Sequence, residues 1–341
     1  MTTRMMINLE FFLLALSLFF TSLVNAGHPV WEAGAATSSS KWIHIDPSDW
    51  TPTWPFQTIR YCYKNEHSKE KLAQFVRAGM QLWYAAGVPE VFRFVEHSKQ
   101  RCDQEPQNYL HISGDSENEV LATTVGKTPS EAEPRPVMEL NFRANEDFNW
   151  KTETVAHEIG HAWGLFHEHQ DPSLWHFAPR GQPDRSLVLF YCENVIGYEK
   201  LLKLVPIATQ LYRSNGPCRN RERAYDVDFM GAQMLPLQEP YQSPLTAWPQ
   251  DEDINWNSIM IYGSRSFGQR DERGLPKVTL LRKQGHQLIP EPTVPNLGDV
   301  EGLLHLYHVK FGTFQVTLHN SRESVWYSLF VHKIRSCPIK E

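Results

Sequence analysis

The sequence predicts an α+β protein in which helices pack against a mixed, twisted β-sheet. Two observations lead to this prediction. The first half of the chain alternates a strand, a helix, several short strands and a second helix, and the patterning then weakens into a loop-rich second half. This order is typical of a sheet with helices layered on it. With 341 residues, 41% of them hydrophobic, the chain can form one large domain or two smaller ones.

The first strand and the first helix are predicted from the spacing of apolar residues. Residues 58–63 alternate with period two, which is typical of a strand. A helix is predicted for residues 69–86, where apolar side chains recur at helical spacing. Ser68 is expected to cap the start of this helix, and Gly87 is expected to end it.

Four short strands and a second helix are predicted to follow. The strand candidates are residues 91–95, 109–113, 120–125 and 137–142. The last of these is expected to form the edge of the sheet above a cleft. An extended peptide could add there as a further strand, with an ordinary edge strand as the alternative. The second helix is predicted to begin near Lys151.

Beyond residue 170 the sequence predicts fewer regular elements. A helix is predicted for residues 193–211, and residues 235–253 are expected to be loop-rich because they contain several prolines. A last helix is predicted where Val300, Leu303, Leu304 and Tyr307 recur at helical spacing, with Asp299 at its start. Residues 308–341 contain short strand-like runs and form a tail to which the sequence assigns no role.

The N-terminal residues are arranged like a cleavable secretory signal. Arg4 supplies positive charge, residues 11–23 are almost wholly apolar, and residues 24–26 form a cleavage site that ends at Ala26. The alternative is a membrane anchor, but the apolar run is shorter than the roughly 20 residues that a spanning helix needs. We therefore predict a signal peptide at residues 1–26, a secreted extracellular protein, and an irregular segment or pro-segment at residues 27–55.

The net charge of -6 excludes two classes of partner. It provides no basic surface for nucleic acid and no polybasic patch for anionic membranes. We therefore expect no nucleic-acid binding, and no membrane association once the signal is removed. We also expect a monomer.

Export changes how the five cysteines are interpreted. In an oxidising compartment, cysteines are more often disulfide-bonded than bound to metal. No pairing follows strictly from the sequence, but position along the chain suggests Cys62–Cys102 and Cys192–Cys218. Because five is odd, at least one cysteine is left over, and Cys337 is the candidate for it.

The segment from His157 to His167 carries the residues that point to chemistry. His157 and His161 are four residues apart, so on a helix they share one face and can bind one metal ion. Glu158 cannot bind that ion from the same direction, but it can act as a general base on a water at the metal. Gly164 lets the chain leave the helix abruptly, so that His167 can turn back as a third ligand.

Three neutral imidazoles predict a catalytic Zn²⁺ site with one ion per chain. They leave an open position on a tetrahedral ion, whereas a structural site is closed by a fourth protein ligand. The ion lowers the pKa of a water toward roughly 7 and polarises a carbonyl group, and amide hydrolysis requires both effects. The alternative is a buried helix with satisfied core histidines. It leaves the fixed spacing of the glycine and the third histidine unexplained.

The extended motif resembles the metzincin peptidases, and among them the astacins. Metzincins carry a Met-turn downstream of the three histidines, and Ser258-Ile259-Met260-Ile261-Tyr262 matches it. In astacins a glutamate follows the third histidine and the turn reads Ser-x-Met-x-Tyr. Glu168 and Tyr262 match both of these positions.

The resemblance implies a zincin fold, with an N-terminal subdomain (residues 56–167) that contains the sheet and the active-site helix. It also implies a loop-rich C-terminal subdomain (residues 168–307) and a zinc cleft between the two. The implied activity is that of a zinc-dependent metalloendopeptidase acting on proteins or peptides.

Three further residues receive roles by the same resemblance. Tyr262 is implied to be an additional zinc ligand at rest that swings away to hydrogen-bond the tetrahedral oxyanion. Met260 is implied to form a hydrophobic floor below the metal. Glu168 is implied to anchor a mature N-terminus through a buried ion pair, with a local salt bridge as the alternative.

Two departures from the astacin pattern lie after the third histidine. His169-Gln170-Asp171-Pro172 replaces the usual Arg and Asp-rich run, and the span between His167 and Met260 is longer than usual. His169 is expected to be a surface histidine or to lie behind the ligands rather than to bind the metal. Two other functions stay open: a secreted zinc hydrolase of non-peptide amides or esters, and an inactive homologue retained for binding.

Overall fold

The computed structural model describes residues 53–309, except for residues 116–120, 128–134, 144, 176–184, 206 and 238–248. Several sequence-based predictions therefore lie outside the described residues. They are the signal peptide at residues 1–26, most of the segment 27–55, nearly all of the tail 308–341, and the state of Cys337. None of the described helices is long and apolar enough to cross a membrane.

The described residues form seven strands and seven α-helices. The strands are β1 Thr58–Tyr63, β2 Arg93–Glu96, β3 Leu110–Ser113, β4 Leu121–Thr123, β5 Val137–Leu140, β6 Val188–Phe190 and β7 Leu280–Arg282. The helices are α1 Glu66–Ala86, α2 Lys99–Gln104, α3 Phe148–Trp163, α4 Tyr198–Leu204, α5 Ala208–Leu211, α6 Arg221–Asp226 and α7 Leu297–Leu306. The predicted order of strand, helix, short strands and helix is confirmed.

The first five strands form one mixed sheet in the order β2-β1-β3-β5-β4. β1 pairs in parallel with β2 and β3, β3 pairs in parallel with β5, and β4 runs antiparallel to β5. The expectation that residues 137–142 form the sheet edge is therefore wrong, because β5 has a neighbour on each side and β4 is the edge strand. Alternating side chains reveal the two faces of a strand but not its neighbours.

Helix α1 begins earlier than predicted because Asn65, rather than Ser68, is its cap. The Asn65 side chain accepts a hydrogen bond from the Ser68 amide at 2.8 Å, which satisfies one amide of the first turn. The Ser68 hydroxyl instead donates to Asp115 at 2.6 Å. The helix ends at Gly87 as predicted, and this glycine has a φ of 105°.

Helix α1 packs directly against α3. Gly79 lies so close to α3 that an added Cβ would meet the Ala156 nitrogen at 3.0 Å. Trp83 is fully buried, and its indole Nε1 donates to the Ala156 carbonyl at 2.8 Å. These contacts hold α3 in a fixed position on the sheet.

The last helix, α7, packs in the same core as the sheet, α1 and α3. Asn296 and Asp299 form a capping box at its start, so the prediction that Asp299 lies in the first turn is confirmed. Just after the helix, the Tyr307 hydroxyl donates to the Trp163 carbonyl at 2.9 Å. The end of the described chain is thereby attached to the end of α3.

A second core is formed by residues between 174 and 289, where regular structure is sparse. The prediction of a single helix at residues 193–211 is wrong, because this range contains part of a 3-10 turn, α4 and α5. Gly197 interrupts it with a φ of 92°, and Pro206 lacks the amide hydrogen that a continuous helix needs. β6 and β7 form a small antiparallel sheet here.

Both predicted disulfides are present. Cys62–Cys102 joins β1 to α2 with a Cα–Cα distance of 6.5 Å. Cys192–Cys218 closes the region that contains α4 and α5, with a Cα–Cα distance of 5.6 Å. One link therefore lies in the part of the chain that contains the large sheet, and the other in the loop-rich part.

Candidate metal centre

Helix α3 supplies the first two histidines of the motif. It begins before Lys151, the predicted start, because Asp147 caps it by accepting a hydrogen bond from the Trp150 amide at 2.8 Å. At its C-terminal end, Gly164 adopts a left-handed conformation with a φ of 107°. Residues with a Cβ resist this conformation. The chain therefore turns sharply at Gly164, as predicted.

This turn brings His167 back to the two histidines of α3. Nε2 of His167 lies 3.1 Å from Nε2 of His157 and 3.1 Å from Nε2 of His161. Among the residues that the structure describes, these three form the one group of potential ligands close enough to hold a metal ion. The residues that the motif singles out as ligands are thus brought together in space.

Hydrogen bonds fix which nitrogen of each imidazole carries the proton. In all three rings Nδ1 faces an oxygen that can only accept. The pairs are His157 with the Ile259 carbonyl at 2.7 Å, His161 with the Leu165 carbonyl at 2.8 Å, and His167 with Gln170 Oε1 at 3.0 Å. Each Nδ1 therefore donates, and each Nε2 presents a lone pair.

The residues present fit a bound metal cation. Three Nε2 lone pairs face one another with no hydrogen between them, an arrangement that repels unless a cation occupies its centre. Burial lowers the pKa of all three histidines, that of His161 to about 3. The rings are therefore neutral, the form that binds metal. Three imidazole nitrogens are also the ligand set of a catalytic zinc site.

Glu158 lies beside the first histidine on α3. Its side chain is 5% exposed, and among the described residues its Oε2 has no hydrogen-bond partner. Burial raises the pKa of this carboxyl group to about 7. A general base is most effective when its pKa lies near the operating pH, so the environment suits the role that the motif predicts for Glu158.

Tyr262 lies next to the histidines at the end of the Met-turn. Its ring centre is 4.3 Å from that of His167, and it stacks on His169 at 4.5 Å. Burial and, to a smaller extent, the Glu158 carboxylate raise the pKa of the phenol. The hydroxyl group therefore keeps its hydrogen and remains a donor. Tyr262 lines the same cleft as His157 and Glu158.

Met260 packs against α3 at Gly160. Its side chain is 2% exposed, and an added Cβ at Gly160 would overlap its sulfur. The same Cβ would lie 3.2 Å from the Trp83 ring. This close approach requires glycine at position 160 and leaves the thioether in contact with the helix that carries two of the histidines.

The Met-turn is also held by α7. Asp299 accepts hydrogen bonds from the Ser258 hydroxyl at 2.5 Å and from the Ile259 amide at 3.1 Å. The Ile259 carbonyl in turn accepts from His157. One carboxylate on the last described helix therefore supports the residue whose carbonyl orients the first histidine.

His169 takes the position behind the ligands, one of the two positions expected for it, and is fully buried. Its Nε2 lies 3.0 Å from the Gln233 carbonyl and must donate to it. Its Nδ1 then accepts from the Tyr262 amide at 3.4 Å. Both ring nitrogens are engaged, which explains why His169 offers no lone pair to a metal.

Glu168 is buried as well, and its environment is unfavourable for a charge. Burial first, and then the Asp171 and Asp299 carboxyl groups, raise its pKa well above the ordinary value. Its carboxyl group accepts from the Asn255 backbone amide. No ion pair joins Glu168 to another residue in the described ranges, so the local salt bridge is not found there. The alternative, an ion pair with a mature N-terminus, involves residues outside those ranges.

A cleft of about 780 Å³ opens beside the histidines. Its walls are the edge strand β4, one face of α3, the Met-turn with two segments that follow it, and Met230 and Gln233. Its lining contains three carboxyl side chains, those of Glu153, Glu158 and Glu291, and no lysine or arginine among the described residues. Among the described residues, the cleft therefore combines an unpaired strand edge with carboxyl groups next to the histidine cluster.

Sequence reasoning missed three residues that support this site: Gln170, Asp299 in its contact with the Met-turn, and Glu291. Asp299 and Glu291 lie far along the chain from the residues they approach, so no local pattern reveals them. Gln170 left a weaker signal. It lies three residues after His167, and residues at this spacing face each other in a helical turn, which the structure has at Glu168–Gln170.

The chain is similar to one known protein family and to several solved structures. Residues 47–174 match the model of the astacin family of peptidases. The fold is similar to high choriolytic enzyme 1, a hatching enzyme zinc-protease from Oryzias latipes (medaka fish), with 16% identity, 78% of this chain and 97% of that chain covered, and a TM-score of 0.41. It is also similar to myroilysin, with 15% identity, 76% and 97% covered, and a TM-score of 0.37. No curated protein sequence matches the chain.

Proposed function

We propose that this chain, an astacin-like zinc metalloendopeptidase, is secreted and hydrolyses peptide bonds at the three-histidine cluster. The premise is the astacin-family match over residues 47–174, a segment that contains all three histidines. The observation that carries the proposal is the convergence of the histidine Nε2 atoms at 3.1 Å from that of His167.

We assign His157, His161 and His167 as the ligands of one zinc ion, with Tyr262 as the further ligand that the astacin resemblance implies. Zinc, when bound there, would polarise a substrate carbonyl and lower the pKa of a water molecule toward roughly 7. The assignment is supported by the three Nδ1–H donors, which leave every Nε2 lone pair free.

Glu158 is assigned as the general base. Its carboxylate takes a proton from the attacking water while the water oxygen bonds to the carbonyl carbon. It then gives that proton to the amide nitrogen as the carbon–nitrogen bond breaks, so water is added across the peptide bond. A pKa near 7 suits both transfers.

Tyr262 is assigned to the negative charge that develops on the carbonyl oxygen. Its phenol keeps its hydrogen and lines the cleft beside Glu158, so it remains a hydrogen-bond donor on the wall of the cleft. A donor that acts mainly in the transition state accelerates the reaction more than it strengthens substrate binding.

We propose that the substrate lies in an extended conformation along β4. This strand is the sheet edge, and its residues Leu121 and Ala122 line the cleft. An extended peptide can pair with such an edge through its backbone. The sequence suggests residues 137–142 as the strand to which a peptide adds, and β4 now takes that role.

We also propose the domain limits that the sequence indicates. Residues 1–26 are a signal peptide, residues 27–55 an irregular or pro-segment, residues 56–307 the catalytic domain and residues 308–341 a tail. Secretion is supported by the apolar N-terminal run and by the two disulfides, which are typical of oxidising compartments. Cleavage after Ala26 would be read directly by N-terminal sequencing of the exported protein.

The activity is tested with purified protein and a quenched fluorescent peptide library. We expect cleavage to be lost with a chelator and restored by zinc. Glu158→Gln should bind one zinc ion per chain yet lose roughly 100- to 10,000-fold in turnover. Glu301→Gln, an exposed substitution on α7, is the matched control. Cleavage by the zinc-free wild type, or wild-type turnover by zinc-loaded Glu158→Gln, would contradict the proposal. Hydrolysis of esters alone would favour the non-peptide alternative.

A further inference from the structure

The residues that follow the third histidine form hydrogen bonds with residues 233–237. We call these residues the exit segment. It lies within the long span between His167 and the Met-turn. His169 donates to the Gln233 carbonyl at 3.0 Å, and the Leu237 amide donates to the Gln170 carbonyl at 3.0 Å. Within this contact Gln170 is 2% exposed.

The contact fixes the orientation of the Gln170 side-chain amide. Its Nε2 donates to the Leu235 carbonyl at 3.1 Å. A carbonyl oxygen cannot donate, so nitrogen must face Leu235 and Oε1 must face His167. Oε1 then accepts from His167 Nδ1 at 3.0 Å. The exit segment thereby determines which end of the amide meets the histidine.

Among the three ligands, His167 is the one oriented by a side chain. His157 and His161 donate to the backbone carbonyls of Ile259 and Leu165, which no substitution removes. His167 also has no helix to hold it, because it follows the break at Gly164. The orientation of its ring therefore depends on a group that a mutation can change.

We propose that Gln170 is a positioning residue for the third metal ligand, and that it sets the affinity of the site for zinc by holding His167 in the Nδ1–H state. This inference rests on the zinc site of the proposed function and adds a residue outside the histidine motif. Partners that orient a ligating histidine fix its tautomer and ring direction, and their loss typically weakens metal binding by about 10- to 100-fold.

Three substitutions separate this role from simple packing. Gln170→Met keeps the length of the side chain but removes both hydrogen-bonding atoms. Gln170→Glu keeps an oxygen that can accept from His167 whether or not the carboxyl group is protonated. Gln269→Met is the matched control, because Gln269 Nε2 also donates to a backbone carbonyl, that of Val195, at 2.9 Å, and Gln269 contacts no histidine of the cluster.

The measurement is the zinc dissociation constant of the full-length protein, obtained by competition with a chelating dye. The thermal unfolding of the metal-free protein is recorded in parallel. We expect the dissociation constant to rise about 10- to 100-fold in Gln170→Met, and to stay close to wild type in Gln170→Glu and Gln269→Met. The loss of zinc affinity in Gln170→Met should be larger than any loss of stability of its metal-free form accounts for.

Two results would overturn the inference. One is a zinc affinity of Gln170→Met equal to that of Gln269→Met. The other is an equal loss in Gln170→Met and Gln170→Glu, which would assign the effect to the Leu235 contact. If Gln170→Met does not fold, Gln170→Leu, which also lacks an acceptor for His167, takes its place with the same expected loss. A wild-type protein that binds no zinc would reject the proposed function together with this inference. Normal wild-type binding with an unaffected Gln170→Met rejects the inference alone.

Discussion

Replacement of Tyr262 by phenylalanine tests the role of its hydroxyl group without disturbing its packing. The ring lies 4.3 Å from His167 and 4.5 Å from His169, and phenylalanine retains both contacts. The change removes one donor from the cleft. Loss of a single oxyanion donor typically costs about 100- to 1000-fold in turnover, or about 2.7–4 kcal/mol of transition-state stabilisation. We expect kcat of Tyr262→Phe to fall by that factor while KM changes little.

The assay is steady-state cleavage of one fluorescent peptide by zinc-loaded wild type and variant, with zinc content measured in both. Tyr212→Phe is the matched control. Its hydroxyl donates to Glu193 at 2.9 Å on the exposed surface just after α5 and does not line the cleft, so its turnover should equal wild type. A Tyr262→Phe enzyme with wild-type kcat would refute the reasoning and leave Tyr262 as a packing residue.

Two further predictions follow from the packing and the charge of the cleft. Gly160→Ala should destabilise the protein by about 1–3 kcal/mol because its Cβ overlaps the Met260 sulfur. Thermal unfolding should show this loss of stability. In the double variant with Met260→Ala, the losses of the two single variants should not add. Strict additivity would exclude the contact as the cause. Glu291→Lys should lower the preference for peptides with basic side chains over acidic ones by roughly 2- to 5-fold, since exposed charge pairs contribute about 0.2–1 kcal/mol. The control, Glu301→Lys, lies outside the cleft and should leave the cleavage preference unchanged. An unchanged preference in Glu291→Lys would show that the Glu291 carboxylate does not contact the substrate.

Local patterns predicted the elements that are determined locally. Period-two alternation identified β1, and helical spacing of apolar residues identified α1 and α7. The motif from His157 to His167 predicted its own convergence, because the two causes, helical spacing and a left-handed glycine, act within a few residues. These parts of the fold and site required no knowledge of distant contacts.

The sequence could not predict features that depend on contacts between distant segments. β4 is the sheet edge because the chain places it beyond β5, a choice of neighbours that alternation does not encode. Asn65 caps α1 in place of Ser68, although both residue types are good caps, because the Ser68 hydroxyl is engaged by Asp115. The support of the Met-turn by Asp299 joins residues about 40 positions apart and leaves no periodic trace.

The link from Asp299 to the Met-turn also has a consequence for the order in which the protein is synthesised. A nascent chain that has emerged as far as Met260 already contains the three histidines and Glu158. It still lacks α7, so it lacks the Asp299 carboxylate, which binds the Ile259 amide. The carbonyl of the same residue orients His157. We therefore expect the peptidase to become competent only after its last described helix has left the ribosome. This delay would protect unfolded chains nearby, including its own, from cleavage during translation.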